Sequence, residues 1–122
     1  MNCALGWLMN DVQHLDYDAL NALKDVMEDD FGLLIQTYLK DSTDRLVSLR
    51  QLIFSENADL IRRTAHSFKG SSSNLGAVYL ATLCSMVERK AMDQHFETLA
   101  ADLARMEAEF VLVRQKMLDF LG

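Results

Sequence analysis

Residues 96–120, FETLAADLARMEAEFVLVRQKMLDF, carry the clearest structural pattern of the chain. Their large apolar side chains recur in alternating steps of three and four residues. Successive helical residues are rotated by about 100°, so this spacing places them on one face of an α-helix. The stripe is narrow, as in helices that bury a seam inside an antiparallel bundle. Its members are Phe96, Leu99, Leu103, Met106, Phe110, Val113, Met117 and Phe120.

Four upstream segments show the same kind of periodicity. One follows Asp16, a second runs from about Phe31 to Phe54, a third follows Asn57, and a fourth spans residues 77–91. Asp16 and Asn57 are expected N-caps, as is either Asp29 or Asp30, because short polar side chains accept hydrogen bonds from the first helical amides. Gly76 supplies a break after the third segment. The fourth stripe consists of Ala77, Leu80, Cys84, Val87 and Ala91.

These segments predict an all-α protein: an antiparallel up-down four-helix bundle with an additional short N-terminal helix over one end. The chain has 122 residues, no proline and five glycines, which suits one domain with short connections. We expect residues 1–14 to form an N-terminal extension that is mobile or a short cap, and residues 15–122 to form the bundle domain.

Composition excludes several classes of protein. The net charge of −6 argues against a nucleic-acid partner, which demands clustered positive charge. Cys3 and Cys84 have no metal-binding or disulfide spacing, and Cys84 falls on an apolar stripe, so a buried thiol and a reducing cytoplasm are expected. Residues 1–9 are apolar but too short for a membrane span and lack the features of a signal peptide.

The segment 66–76, HSFKGSSSNLG, places chemistry on the third helix. Helical spacing puts His66 on a side well away from the predicted core positions. That core side consists of Ile61, Ala65, Phe68 and Ser72. The exposed stripe around His66 consists of Arg62, Lys69, Gly70 and Ser73. A nucleophile on a rigid helix, with a cation one turn away and a glycine beside it, suits the handling of a phosphoryl group.

A phosphoryl-accepting histidine needs one exposed, unprotonated nitrogen, and its other nitrogen should donate to an acceptor that fixes the tautomer. Glu88, at the edge of the fourth stripe, is the candidate acceptor. Lys69 would offset charge on the phosphoryl oxygens. Gly70 would let a partner approach closely, and the small residues Ser71, Ser72 and Ser73 keep the following turn narrow.

Each of these residues also has an ordinary structural interpretation. His66 could be a solvated surface histidine, and Lys69 a solvated lysine near a helix C-terminus, where the dipole favours it. Gly70 could mark a fraying helix end or a close helix crossing. Glu88 could pair with Arg89 or Lys90. Their joint spacing favours the functional interpretation.

The pattern Ala65-His66-x-x-Lys69-Gly70-Ser71-Ser72-x-x-Leu75-Gly76-Ala77 closely resembles the signature of histidine-containing phosphotransfer (HPt) domains. The upstream pattern Leu34-Ile35-x-x-Tyr38-Leu39-x-Asp41-Ser42 resembles the second helix of bacterial members. The resemblance extends from about Leu15 to the C-terminus. It implies that His66 is phosphorylated, that Lys69 and Gly70 assist transfer, and that Glu88 orients the imidazole.

The resemblance further implies a cytoplasmic, monomeric phosphorelay intermediate. It would take a phosphoryl group from a receiver-domain aspartate of a hybrid sensor kinase and pass it to a response-regulator aspartate. No cofactor is expected on this chain, and Mg²⁺ is expected on the partner receiver domain. The chain has no Gly-rich phosphate loop, so no ATP-dependent kinase activity is expected. Partner docking is assigned to Arg62, Phe68, Gly70, Ser71 and Ser73, with Leu15 or Leu20 as further apolar candidates.

Three alternatives stay open. A binding-only helical adaptor would make His66 incidental. A dimerising phosphoacceptor fragment of a sensor kinase usually has an acidic residue directly after its histidine, where this chain has Ser67. A bundle-core metal carrier would need inward-facing Glu-x-x-His pairs, which the sequence lacks.

Overall fold

The computed structural model describes residues 13–122, and the first twelve residues of the predicted extension lie outside that range. The described part is helical and contains no strand. A short 3₁₀ turn, Glu28–Asp30, joins the first two helices. The helices are α1 (Tyr17–Met27), α2 (Phe31–Phe54), α3 (Ala58–Asn74), α4 (Val78–Met92) and α5 (Leu99–Leu121).

Helices α2 to α5 form the predicted up-down bundle. The four helices form a closed ring in which each packs against two others. Helix α2 contacts α3 and α5, and helix α4 contacts the same two helices. The connections are short, so consecutive helices run antiparallel. The predicted seams fill the interior, and Cys84 is fully buried among them, as expected. The expected four-helix bundle is confirmed.

Helix α1 covers one end of this bundle. The backbone N–H of Asp16 donates to the carbonyl of Gly76 over 2.8 Å, which ties the start of α1 to the turn after α3. The rings of Tyr17 and Phe120 lie 6.0 Å apart, so α1 also contacts the C-terminal end of α5. Lys24 stands over the same Phe120 ring. The prediction of a short helix capping one end is confirmed.

Two of the three predicted N-cap residues make side-chain capping hydrogen bonds, and the third does not. The Asp16 carboxylate accepts from the Ala19 N–H, and the Asn57 side chain accepts from the Leu60 N–H, as expected. Asp30 occupies the N-cap position of α2 but makes no side-chain capping bond, because the preceding 3₁₀ turn already gives it helical backbone angles.

Gly76 ends α3 in the left-handed region, with φ of +78°. This confirms the glycine break predicted after the third helix. A Cβ at this position would lie 3.0 Å from the carbonyl oxygen of Asp16, so the glycine also permits the close approach of α1. None of the helices described between residues 13 and 122 is long and apolar enough to cross a bilayer.

Candidate functional site

Helix α3 presents His66 and Lys69 one turn apart on its exposed side. The opposite side is buried in the bundle, and its buried residues are the predicted ones: Ile61, Ala65, Phe68 and Ser72. The His66 side chain is 65 % exposed, so the ring is open to a partner.

Glu88 of α4 binds both of these side chains. Its Oε2 lies 2.8 Å from Nδ1 of His66, and its Oε1 accepts from Nζ of Lys69 over 2.7 Å. The Glu88 side chain is only 13 % exposed, in contrast to the side chain of His66. The structure therefore brings together His66, Lys69 and Glu88 from two neighbouring helices.

The charge on Glu88 fixes the tautomer of His66. Burial alone would raise the pKa of this carboxyl, but the hydrogen bonds from Lys69 and His66 outweigh burial and hold the pKa below its usual value. An ionised carboxylate only accepts hydrogen bonds, so Nδ1 of His66 carries the proton in this contact. The lone pair of a neutral ring is then on Nε2.

Gly70 has no packing role in this structure. Apart from Gly70 itself, its two chain neighbours and the local backbone of α3, no atom lies within 4 Å of the position that a Cβ would occupy, which excludes a close helix crossing as the reason for the glycine. Helix α3 continues to Asn74, so Gly70 is not at a fraying end. The space beside Gly70 is open on the same side as His66.

Other predicted surface residues have definite surroundings. The Arg62 guanidinium bonds to Asp59 over 3.0 Å, one turn before His66. The Ser71 hydroxyl donates to the Phe68 carbonyl and accepts from Arg45. Ser73 is exposed.

The docking role expected for three apolar residues is wrong. The side chains of Phe68 and Leu20 are fully buried, and that of Leu15 is 2 % exposed. Phe68 lies on the core side of α3, and the two leucines face the bundle end that α1 covers. None of the three presents a surface to a partner.

Several polar contacts were not predicted from the sequence. Arg45 of α2 reaches the serines beside His66, and nothing in its local sequence distinguishes it from other surface arginines. Glu109 is buried and bonded to His14 over 2.7 Å. Asp102 is buried and bonded to Lys90 and Arg105.

A signal for the two buried carboxylates does exist in the sequence. Leu99, Asp102, Met106, Glu109 and Val113 step by three and four, so both acids lie in the register of the buried seam. A stripe drawn through apolar residues alone omits them. Within residues 13–122, no group of three or more histidine, cysteine or acidic side chains is arranged to hold a metal ion.

Comparison with known proteins agrees with this architecture. The family described as "Hpt domain" matches residues 33–117. Among solved structures, histidine-containing phosphotransfer protein B (HptB) from Pseudomonas aeruginosa PAO1 is similar, with a TM-score of 0.86 and 40 % sequence identity. The similarity covers 89 % of this chain and 95 % of that one. A comparison with curated protein sequences gave no match.

The family match includes most of α2, all of α3 and α4, and α5 as far as Met117, and so contains the His66, Lys69 and Glu88 cluster. The structural similarity to HptB extends over nearly the whole length of both chains. The protein therefore belongs to the Hpt domain family, whose members are histidine phosphocarriers of phosphorelays and not kinases.

Proposed function

We propose that His66 carries a phosphoryl group between two receiver domains. In this proposal it accepts the group from a receiver-domain aspartate of a hybrid sensor kinase and passes it to a response-regulator aspartate. The observation that supports this most directly is the His66–Glu88 contact. It engages Nδ1 and leaves Nε2 without a hydrogen-bond partner among the described residues, on a side chain that is 65 % exposed.

The transfer step follows from this arrangement. The Nε2 lone pair attacks the phosphorus of an aspartyl phosphate, the N–P bond forms, and the P–O bond to the aspartate breaks. The aspartate leaves as a carboxylate, and no proton has to move. The imidazole gains positive charge because Nδ1 keeps its proton, and Glu88 stabilises this charge through the existing 2.8 Å contact. Transfer to the second aspartate reverses these steps.

Lys69 lies where it can act on the phosphoryl oxygens. Its ammonium has three donors, and Glu88 is its one partner among the described residues. The remaining donors can bond to oxygens of a phosphoryl group held on the neighbouring ring. The bond to Glu88 keeps the flexible lysine side chain near His66 before a partner arrives.

We propose that Gly70 allows the receiver domain to dock and has no role in the packing of the isolated protein. The absent side chain leaves open space on the side from which a receiver domain must bring its aspartate within bonding distance of Nε2. The Mg²⁺ of the reaction is assigned to the receiver domain, where it would offset charge on the transferring group.

The test is transfer from a labelled, phosphorylated receiver domain to the purified protein. We expect acid-labile, alkali-stable label on the wild type and none on His66→Ala. His95→Ala is the matched control, since it removes an exposed imidazole elsewhere on the surface and should accept label normally. The phosphohistidine should be the Nε2 isomer, which NMR of the labelled protein distinguishes from the Nδ1 isomer.

Two results would contradict the proposal. Absence of label on folded wild-type protein across a broad panel of active donors would favour the binding-only adaptor. Label retained on His66→Ala would mean that another residue is the acceptor.

A further inference from the structure

The basic residues of α3 all have carboxylate partners. Arg62 and Arg63 share Asp59, and Lys69 binds Glu88. The positive charge along the helix that carries His66 is therefore partly neutralised within the protein.

Arg45 of α2 differs from these residues. Its guanidinium donates to the Ser67 hydroxyl over 3.0 Å and to the Ser71 hydroxyl over 3.2 Å, and both acceptors are uncharged. Across the described chain, no carboxylate lies within ion-pair distance of it. Arg45 thus forms no ion pair, although Asp41, one turn before it on α2, lines the same surface pocket, and its two hydrogen bonds to serines of the His66 helix hold it in place.

These two serines also locate Arg45 relative to the site. Ser67 directly follows His66, and Ser71 directly follows Gly70. Lys69 bonds to α4, whereas Ser67 and Ser71 bond to α2. Gly70 therefore lies between a lysine that is paired with a carboxylate on one side and, on the other, an arginine that has no ion-pair partner among residues 13–122. Arg45 is bonded to the two serines that directly follow His66 and Gly70, on the α2 side of this site.

We infer that Arg45 is a specificity-determining residue that binds a carboxylate on the docking face of the receiver domain; this rests on the proposed function. A receiver domain that holds Mg²⁺ needs carboxylate ligands around its phosphorylated aspartate, so it presents negative charge at the point of contact. This protein has a net charge of −6, so its overall field repels that negatively charged surface. A fixed, unpaired cation beside the acceptor offsets that repulsion locally and selects partners with an acid at the matching position.

The experiment measures initial rates of transfer from a phosphorylated receiver domain at several salt concentrations. Arg45→Gln removes the charge and keeps a hydrogen-bonding side chain of good helix propensity. We expect KM for the receiver to rise about three- to tenfold, with kcat nearly unchanged and a weaker dependence of KM on salt. Arg45→Lys should restore most of the wild-type KM, because it restores the charge.

Arg50→Gln is the matched control. Arg50 belongs to the same helix but binds Glu107 of α5, on a different side of the bundle from His66. Its loss changes the net charge equally and should leave KM and its salt dependence within about a factor of two of wild type. Circular dichroism and thermal melting report whether each variant keeps its fold.

A variant that keeps the arginine covers the case in which Arg45→Gln fails to fold. Ser67→Ala combined with Ser71→Ala removes both acceptors, and we expect about a two- to threefold rise in KM as the guanidinium loses its fixed position. Equal KM and salt dependence for the Arg45 variants, Arg50→Gln and wild type would overturn the inference and leave the proposed function intact. Failure of the wild type to accept label would overturn both.

Discussion

At the level of single residues, the Glu88 carboxylate organises the site, because each of its oxygens has its own partner. One oxygen holds the His66 ring and the other holds Lys69. Burial of a carboxylate is costly, and here the two hydrogen bonds compensate for it. The same contacts that orient the imidazole therefore also stabilise the bundle, since they join α3 to α4.

This coupling predicts how stability changes with pH. The pKa of Glu88 in the folded protein lies below its usual value of 4.5. Its stabilising contribution is thus complete above that value and is lost as the pH falls through the lower, folded-state pKa. Glu88→Gln should be less stable than wild type at about pH 5.5, and the difference should shrink by about pH 3. Urea denaturation at both pH values measures it.

Glu97→Gln is the control for this experiment. Glu97 is exposed, and its side chain forms no ion pair with any residue from 13 to 122. This variant should follow the wild type at both pH values. A Glu88→Gln deficit that stays constant down to about pH 3 would mean that the ionised carboxylate does not stabilise the fold.

The residues of the site differ in how far the sequence predicts them. His66, Lys69 and Gly70 lie within one helical turn, so their shared face follows from the spacing alone. Glu88 required the further expectation that α4 runs antiparallel beside α3, and the structure places it in contact with both side chains. Arg45 could not be found this way, because its position depends on the packing of α2 against α3. Phe68 was assigned both to the core and to the docking surface, and packing puts it in the core.

At the level of helices, Gly70 and Gly76 form a natural comparison, since one is an interior residue of α3 and the other follows its end. Gly70→Ala should raise the free energy of unfolding by about 0.5–1 kcal/mol, because alanine favours the helix and meets no neighbour. Gly76→Ala should lower it by about 1–2 kcal/mol, because alanine is strained at positive φ. Urea denaturation of the two variants tests these opposite signs.

Substitutions at Gly70 and Gly76 should also differ in their effect on the rate of phosphoryl transfer. A bulky residue at Gly70, such as glutamine, should leave the melting temperature nearly unchanged and slow transfer about ten- to a hundredfold by obstructing the partner. Gly76→Ala, assayed well below its melting temperature, should transfer at nearly the wild-type rate. Unimpaired transfer by Gly70→Gln would contradict the steric role proposed for this glycine.

Helix boundaries were predictable to the extent that polar caps and glycine determine them. Asn57 and Gly76 delimit α3 as expected, because each satisfies backbone groups locally. The start of α5 was not predicted correctly. The apolar stripe begins at Phe96, but the helix begins at Leu99, and Phe96 lies in the turn with its carbonyl accepting from the Leu99 N–H. An apolar residue can join the core from a turn, so periodicity alone misplaces the boundary.

At the level of the whole molecule, Cys84 reports on the integrity of the bundle. Its side chain is fully buried, and burial raises the pKa of the thiol to about 12. Only a thiolate reacts readily, so modification requires opening of the core. In a Cys3→Ser background, we expect labelling by a thiol reagent to be slow in native buffer. Its rate should increase with urea in parallel with global unfolding.

Labelling of the same variant in strong denaturant provides the reference rate for an exposed thiol. Native-state labelling close to that reference would mean that the α4 region opens without unfolding of the rest. The sequence predicted this burial because Cys84 steps with Leu80 and Val87. It did not predict the buried Asp102 and Glu109, whose partners lie on α4, one turn further along α5 and just before α1.

The location of His66 within the 17-residue helix α3 has a thermodynamic consequence for signalling. A reactive group on a loop would have to be ordered when a partner binds, and that ordering would contribute a large negative heat-capacity change. On a continuous helix the ring is already ordered by the backbone on both sides and by Glu88. The heat-capacity change of association should then reflect only the surface that the two proteins cover. A carrier of this kind can bind and release successive partners without refolding the helix that carries its reactive histidine.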